Sequence, residues 1–390
     1  MKGWERLVLG GGAEEAVMPD LLPSPVPRRW LALIALGLAA CEGSSRSGGP
    51  SDPSDPSDPS DPPPDVTPPL ECCGIDAVED MTPEQGWQVH VPPFEVPAGT
   101  EVTDCYFLAI PDLASGQDVW VDAIKVGQRP GSHHMNIFRV NTVIALDGAP
   151  GEVVHDGECK NLPNWADWPL VANSQESSAD APPFFWELPE NVAHRFTPGE
   201  KIMLQTHYVN ATNQASPTGG EVKVNFYLSK DPEHIELGTM MGKQWDIRIC
   251  QSTPTPTFSG NCHLPSEQPL HLAAANGHFH SRGKRVSIYP WDGNAAAPPA
   301  TDMCYESVDW NEPPMTVGLD ENIRVGGGFW WTCEFQWSPP PGGCDLLNSR
   351  DPLAANDCCY VFGNNAENAE HCNVFVYYWP KVDNTDIFCN

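Results

Sequence analysis

Positive charge is scarce in this chain: 21 Lys and Arg stand against 52 Asp and Glu in 390 residues, a net charge of −31. Such a surface is repelled by phosphate backbones and by anionic lipid, which argues against nucleic acid as a partner. The acidity suits the solubility of an exported protein. Long hydrophobic runs are also lacking. The apolar stretch at residues 30–40 is about eleven long, against the roughly twenty that a spanning helix needs. No long stretch repeats its apolar residues every 3.6 positions, so little points to helices. No internal repeat stands out except Ser-Asp-Pro, which recurs from Ser51 to Pro62.

Cysteine is plentiful. Fourteen cysteines point to an oxidising compartment and a set of disulfides. The start of the chain agrees: Arg28 and Arg29 precede residues 30–40, which end in Leu38-Ala39-Ala40-Cys41. A basic region, a short apolar core and small residues before a cleavage point make an export signal. Leu-Ala-Ala-Cys resembles a bacterial lipoprotein signal, with Cys41 as the lipidated first residue of the mature chain; an ordinary secretory signal is the alternative. Residues 1–17 are unlike a signal start, and Met18 is a candidate initiator. Residues 1–41 are therefore read as signal and anchor. Residues 42–70, rich in Ser, Asp and Pro, cannot build a core and are read as an extended tether.

From there the chain is a series of short β-rich runs broken by Gly, Pro, Asn and Asp. Clear cases are 119–126, 134–140, 201–209, 221–228, 285–289, 328–337 and 373–379. Several alternate apolar with polar residues, as half-buried antiparallel strands do. The expectation is an all-β protein of two antiparallel, jelly-roll-like sandwich domains, 71–231 and 232–390, divided near the turn at 230–232.

Eleven of the twelve histidines lie beyond residue 100. His278 and His280 are two apart, so on a strand both face one side and can share a metal, though such pairs are common on solvated strands. His133 and His134 are adjacent and would point to opposite faces. They can share a metal only where the strand begins or bulges, which Gly131 just upstream permits. His207 lies on a strand ending at Asn210, and His371 opens a C-terminal strand. His90, His155, His194, His234, His263 and His271 read as surface or structural residues. All-imidazole sites suit copper, zinc, iron or nickel.

The strings around these histidines, in their order, resemble the copper type II, ascorbate-dependent monooxygenases, the family of peptidylglycine α-hydroxylating monooxygenase and dopamine β-monooxygenase. The matching pieces are Cys105 followed by Tyr-Phe-Leu-Ala-Ile-Pro, His133-His134-Met135, Leu204-Gln205-Thr206-His207-Tyr208, Gly277-His278-Phe279-His280 with Arg282-Gly283-Lys284, and Glu370-His371-Cys372-Asn373 running into Tyr377-Tyr378. They span most of residues 95–385.

The resemblance implies two β-sandwiches with one copper each, facing across a metal-lined solvent cleft. It assigns His133, His134 and His207 to an electron-supplying copper, and His278 and His280 to the copper that meets oxygen and substrate. The family's third ligand there is a methionine immediately before a cysteine; this chain has His371 before Cys372. A thioether favours Cu(I), whereas a third imidazole favours Cu(II) and also suits zinc. Met303 and Met315 are the other methionines of this half that could stand in. The family arginine and tyrosine that clamp a peptide carboxylate correspond to Asn276 and Phe375, which argues against a C-terminal peptide substrate. The family pattern also implies Cys105–Cys159, Cys262–Cys389 and Cys333–Cys372. Residues 338–360, with Cys344, Cys358 and Cys359, read as an extra loop, and the aromatic residues Trp330, Trp331, Trp337 and Phe375 as core.

The expected function is an exported monooxygenase. It would hydroxylate a C–H bond of a small molecule with O2, two copper ions and a reductant such as ascorbate. It would be secreted, or held at the cell envelope (outer membrane or periplasmic face) by a lipid on Cys41. The alternatives are a surface lipoprotein that sequesters copper without turnover, and an adhesion module on the same fold.

Overall fold

A computed structural model describes residues 73–390 except 144–147, 156–158, 160–167, 176, 211–218, 295, 311–312, 341, 349–350, 352, 354–356, 364–366, 384–385 and 390. All described residues belong to one compact unit, Val66–Asn390. The signal, Cys41, Cys72 and the tether lie outside them.

The described chain is all-β with mostly antiparallel pairing. Each run singled out in the sequence is a strand: Val119–Gln128, Ser132–Arg139, Lys201–Asn210, Gly220–Leu228, Gly283–Trp291, Gly328–Phe335 and Asn373–Trp379. The first half forms two sheets. In one, Gly220–Leu228 lies between Gly86–Phe94 and Val119–Gln128, with Val192–Phe196 and Phe184–Glu187 also on Val119–Gln128. In the other, Lys201–Asn210 lies between Thr100–Ala109 and Ser132–Arg139, with Val153–His155 and Leu170–Ser174 at the edges.

The second half forms a sheet ordered Thr316–Ile323, Leu270–His278, Asn373–Trp379, Gly238–Lys243, Ile387–Cys389. A four-stranded sheet, Thr257–His263, Gly328–Phe335, Gly283–Trp291, Tyr305–Ser307, accompanies it. The 338–360 segment holds the short helix Cys344–Asn348 and is tied down by Cys344–Cys358. At its end, Cys359–Val361 pairs with Arg248–Cys250, and Cys250–Cys359 bridges the two strands.

The strand Asn373–Trp379 explains how the halves meet. Its residues alternate between two apolar cores, as the two-residue period of a strand requires. Val374, Val376 and Tyr378 join the core of the second half, with Leu272, Ile288 and Trp331. Phe375 and Tyr377 join the core of the first half, with Val126, Ile137, Leu204 and Phe226. Tyr377 meets Trp186 edge-on at 4.9 Å between ring centroids. Both faces are covered, so the segment is apolar at nearly every position. A large apolar side chain fully buried in this way contributes about 1.5–3 kcal/mol. Met315 packs into the core of the first half, and Met303 is exposed.

Candidate metal centres

His134 faces His207 directly across the pairing of Ser132–Arg139 with Lys201–Asn210. The register slips between Ser132 and His134, so His133 is the extra residue of a β-bulge. That bulge is what lets neighbouring histidines turn to one side. Gly131, at φ 97°, supplies the left-handed backbone just before it. The three ring centroids are 5.0–5.2 Å apart, and the donor atoms of His133, His134 and His207 all lie within 4.8 Å of one another.

Partners on the far sides of the rings set the tautomers. Oε1 of Gln205 accepts from Nδ2 of Asn136 at 3.0 Å and lies 3.2 Å from Nε2 of His134. Because a carbonyl oxygen only accepts, Nε2 of His134 carries the hydrogen and Nδ1 keeps its lone pair. That Nδ1 is buried without a hydrogen-bond partner, as an atom that serves a metal would be. Nε2 of His207 donates to Oε2 of Glu101 at 3.1 Å, the carboxylate–histidine arrangement that orients metal ligands. The Cys105–Cys159 disulfide packs behind Gln205, whose Nε2 is 3.9 Å from Sγ of Cys159.

In the second half His278 ends the strand Leu270–His278 and faces Asn373. Gly277 beside it lets the two sheets approach, since a Cβ there would come within 2.4 Å of Val286. His280 follows in the turn, with Phe279 buried between them. His371 precedes Asn373–Trp379, and Cys333–Cys372 fixes its backbone neighbour. Centroids are 5.3 Å apart for His278 and His280, 5.2 Å for His278 and His371, and 4.5 Å for His280 and His371. The donor atoms of this triad also fall within 4.8 Å of one another.

Nδ1 of His280 donates to the carbonyl of Ala369 at 3.0 Å, which directs Nε2 to the centre. Glu370, fully buried, accepts the backbone N–H of His280 through one oxygen and that of Arg282 through the other, both at 2.9 Å. One carboxyl group therefore clasps the turn that carries His280 while its own backbone leads into His371. Burial pushes the Glu370 carboxyl up to about 8, against those N–H groups, which favour the anion. Phe362 stacks on His371 at 4.7 Å.

Four of these imidazoles are held neutral. Burial first, then neighbouring imidazoles, keeps His134, His278 and His371 well below the ordinary histidine range, and burial brings His280 down to about 4. Neutral imidazole is the form that binds metals. A third cluster, Cys250, Asp357 and Cys359, offers no thiolate because its cysteines are joined.

The expected solvent cleft between the triads is replaced by contact. His134 and His278 meet edge to face with centroids 5.9 Å apart, and Trp310 of the second half lies 6.0 Å from His133. His133, His207 and His280 are 8%, 8% and 4% exposed. Asn276 and Phe375 are buried where the halves pack, not set along an open groove. The physical reason is the doubly covered sheet described above.

Of the remaining histidines, His194 is buried beside Trp186 and Phe196, His234 stacks on Trp120 and His271 on Trp379. The disulfides Cys105–Cys159, Cys262–Cys389 and Cys333–Cys372 are all present. Among the described cysteines only Cys304 is a thiol, pushed up to about 12 by burial. Sequence reasoning missed Glu101, Gln205 and Glu370. A lone amide or carboxylate carries no pattern, and only the strand register brings each beside a histidine.

No known protein family and no curated protein matches the chain. Among solved structures it is similar to the PBSX exported protein XepA, at 10% identity over 66% of this chain and 89% of that one, with a TM-score of 0.19. A likeness that slight carries no argument for fold or function.

Proposed function

We propose that this protein is an exported copper-dependent monooxygenase that hydroxylates a C–H bond of a small molecule. The observation that supports the reading best is the pair of three-histidine groups, each with its donor atoms within 4.8 Å of one another. Neutral, preoriented imidazoles suit copper, and the orphaned Nδ1 of His134 fits a metal at the first group. In this reading the two pairs of sheets are two antiparallel sandwiches, residues 71–231 and 232–390, each holding one ion. Bound copper, alternating between Cu(I) and Cu(II), supplies one-electron redox chemistry.

His133, His134 and His207 serve the electron-supplying ion, and His278, His280 and His371 the reactive one. Glu101, Gln205 and Glu370 hold those rings in place. In the overall reaction one oxygen atom of O2 enters the C–H bond and the other leaves as water. Two electrons come from ascorbate or a similar reductant, and two protons from solvent. The disulfides suit an exported protein. Attachment to the envelope through a lipid on Cys41 completes the reading.

Two observations favour a second reading. The triads are largely covered, and His371 stands where a thioether would favour Cu(I). A lipoprotein that sequesters copper without turnover has those properties. Oxygen uptake by the copper-loaded protein with ascorbate, across a panel of small molecules, separates the two. Substrate-dependent uptake with 18O entering the product supports the monooxygenase. Tight copper binding with no uptake supports sequestration.

A further inference from the structure

We infer that the two triads form one six-histidine dinuclear copper centre, in which the two ions are close enough to couple, instead of two sites that act apart. The inference rests on the copper reading above and concerns how the ions are arranged.

Three observations carry it. Within each triad the ring centroids are 4.5–5.3 Å apart, and the shortest approach between triads, His134 to His278, is 5.9 Å. The gap between the groups is thus scarcely larger than the spacing inside them.

The second observation is a buried chain of side-chain hydrogen bonds that ties one triad to the other. Asn276, two residues before His278, donates to Asn173 at 2.9 Å. Asn173 donates to Asn136, Asn136 to Gln205, and Gln205 accepts from His134. Four amides in one consistent direction link the strand of His278 to the ring of His134. They are embedded where Phe375 and Tyr377 of the second half enter the core of the first. Such a buried network specifies one register between the halves.

The third is chemical. With His371 as the third ligand, both triads offer the same three-imidazole donor set. Two equal ligand sets placed edge to edge suit two ions that work as a unit, the electron-supplying and the reactive ion being neighbours, as in paired metal sites about 3.5–4 Å apart.

The test is a titration of the unmodified metal-free protein with Cu(II), followed by spin-counting electron paramagnetic resonance and by X-ray absorption of the fully loaded protein. The expected result is a signal that grows as the first ions bind. It then falls well below one spin per copper as the second position fills, with a copper–copper scatterer in the absorption data. Two bound coppers that integrate to two full spins, with no such scatterer, overturn the inference and leave the two-copper reading intact. A protein that binds no copper overturns both.

Discussion

The side-chain oxygen of Gln205 lies 3.2 Å from Nε2 of His134 and leaves Nδ1 of that ring buried and without a partner. Gln205 thereby decides which nitrogen of His134 can hold a metal. Replacing it with leucine keeps the bulk, removes the acceptor, and strands both Nε2–H of His134 and Nδ2 of Asn136. Copper affinity at the first triad should fall about 10–100-fold, as for other partners that orient metal ligands. The second triad should keep its ion. Competitive chelator titration checks this, and an unchanged first affinity would mean that the ring needs no such support.

The pH dependence of the metal-free protein follows from the same burial. His134, His194, His278, His280 and His371 all have folded-state values below the usual histidine range. A histidine lowered in the folded state is stable in its neutral form, and the unfolded chain takes up its proton first as pH falls. Stability is therefore complete above about 6.5 and is lost as pH drops toward the folded values. Glu370, raised to about 8, acts in the opposite sense between about 4.5 and 8, but it is one group against five. Melting temperature should fall steeply between pH 6.5 and 4, and copper should move the fall to lower pH, because ligands must lose protons to bind it. A flat profile in that window would show that the rings are not buried as neutral groups.

Much of this was legible in the sequence. The strand Ser132–Arg139 reads as β from its apolar alternation, and Gly131 marks the place where a bulge can form. The sequence could not say that the bulge falls on His133, because register depends on the partner strand Lys201–Asn210. Leu270–His278 escaped notice because its centre, Ala273-Ala274-Ala275, has neither alternation nor β-branched residues. The apolar run at 373–379 was visible as a strand, but its burial on both faces was not. The cleft was an implication of the family resemblance, whereas the structure brings the halves into contact.

Asn276 bears on substrate as well. It donates to Asn173 and is wholly buried, and Phe375, its partner across the sheet, is buried too. A peptide carboxylate finds neither a cation nor a hydroxyl there. A charge-assisted pair to such a group is worth roughly 1.5–3 kcal/mol, so its absence should leave glycine-extended peptides essentially unturned. Product analysis with such a peptide, copper and ascorbate checks this; efficient amidation would contradict it.

His371 sets the donor chemistry of the second triad. Its ring stacks on His280 and on Phe362, and Cys333–Cys372 holds the chain beside it. X-ray absorption at the copper edge of the reduced protein should show nitrogen ligands and no sulfur. His371→Met should add a sulfur scatterer and shift the site toward Cu(I). Sulfur bound to copper in the unmodified protein would mean that a methionine or Cys304 has taken the position.

The most direct measurement is the number of copper ions held per chain, before and after one triad is removed. Two ions are expected in the unmodified protein and one after His133→Ala combined with His134→Ala, with the remaining ion lost on further substitution of His278 and His280. A count that the first double substitution leaves unchanged would contradict it.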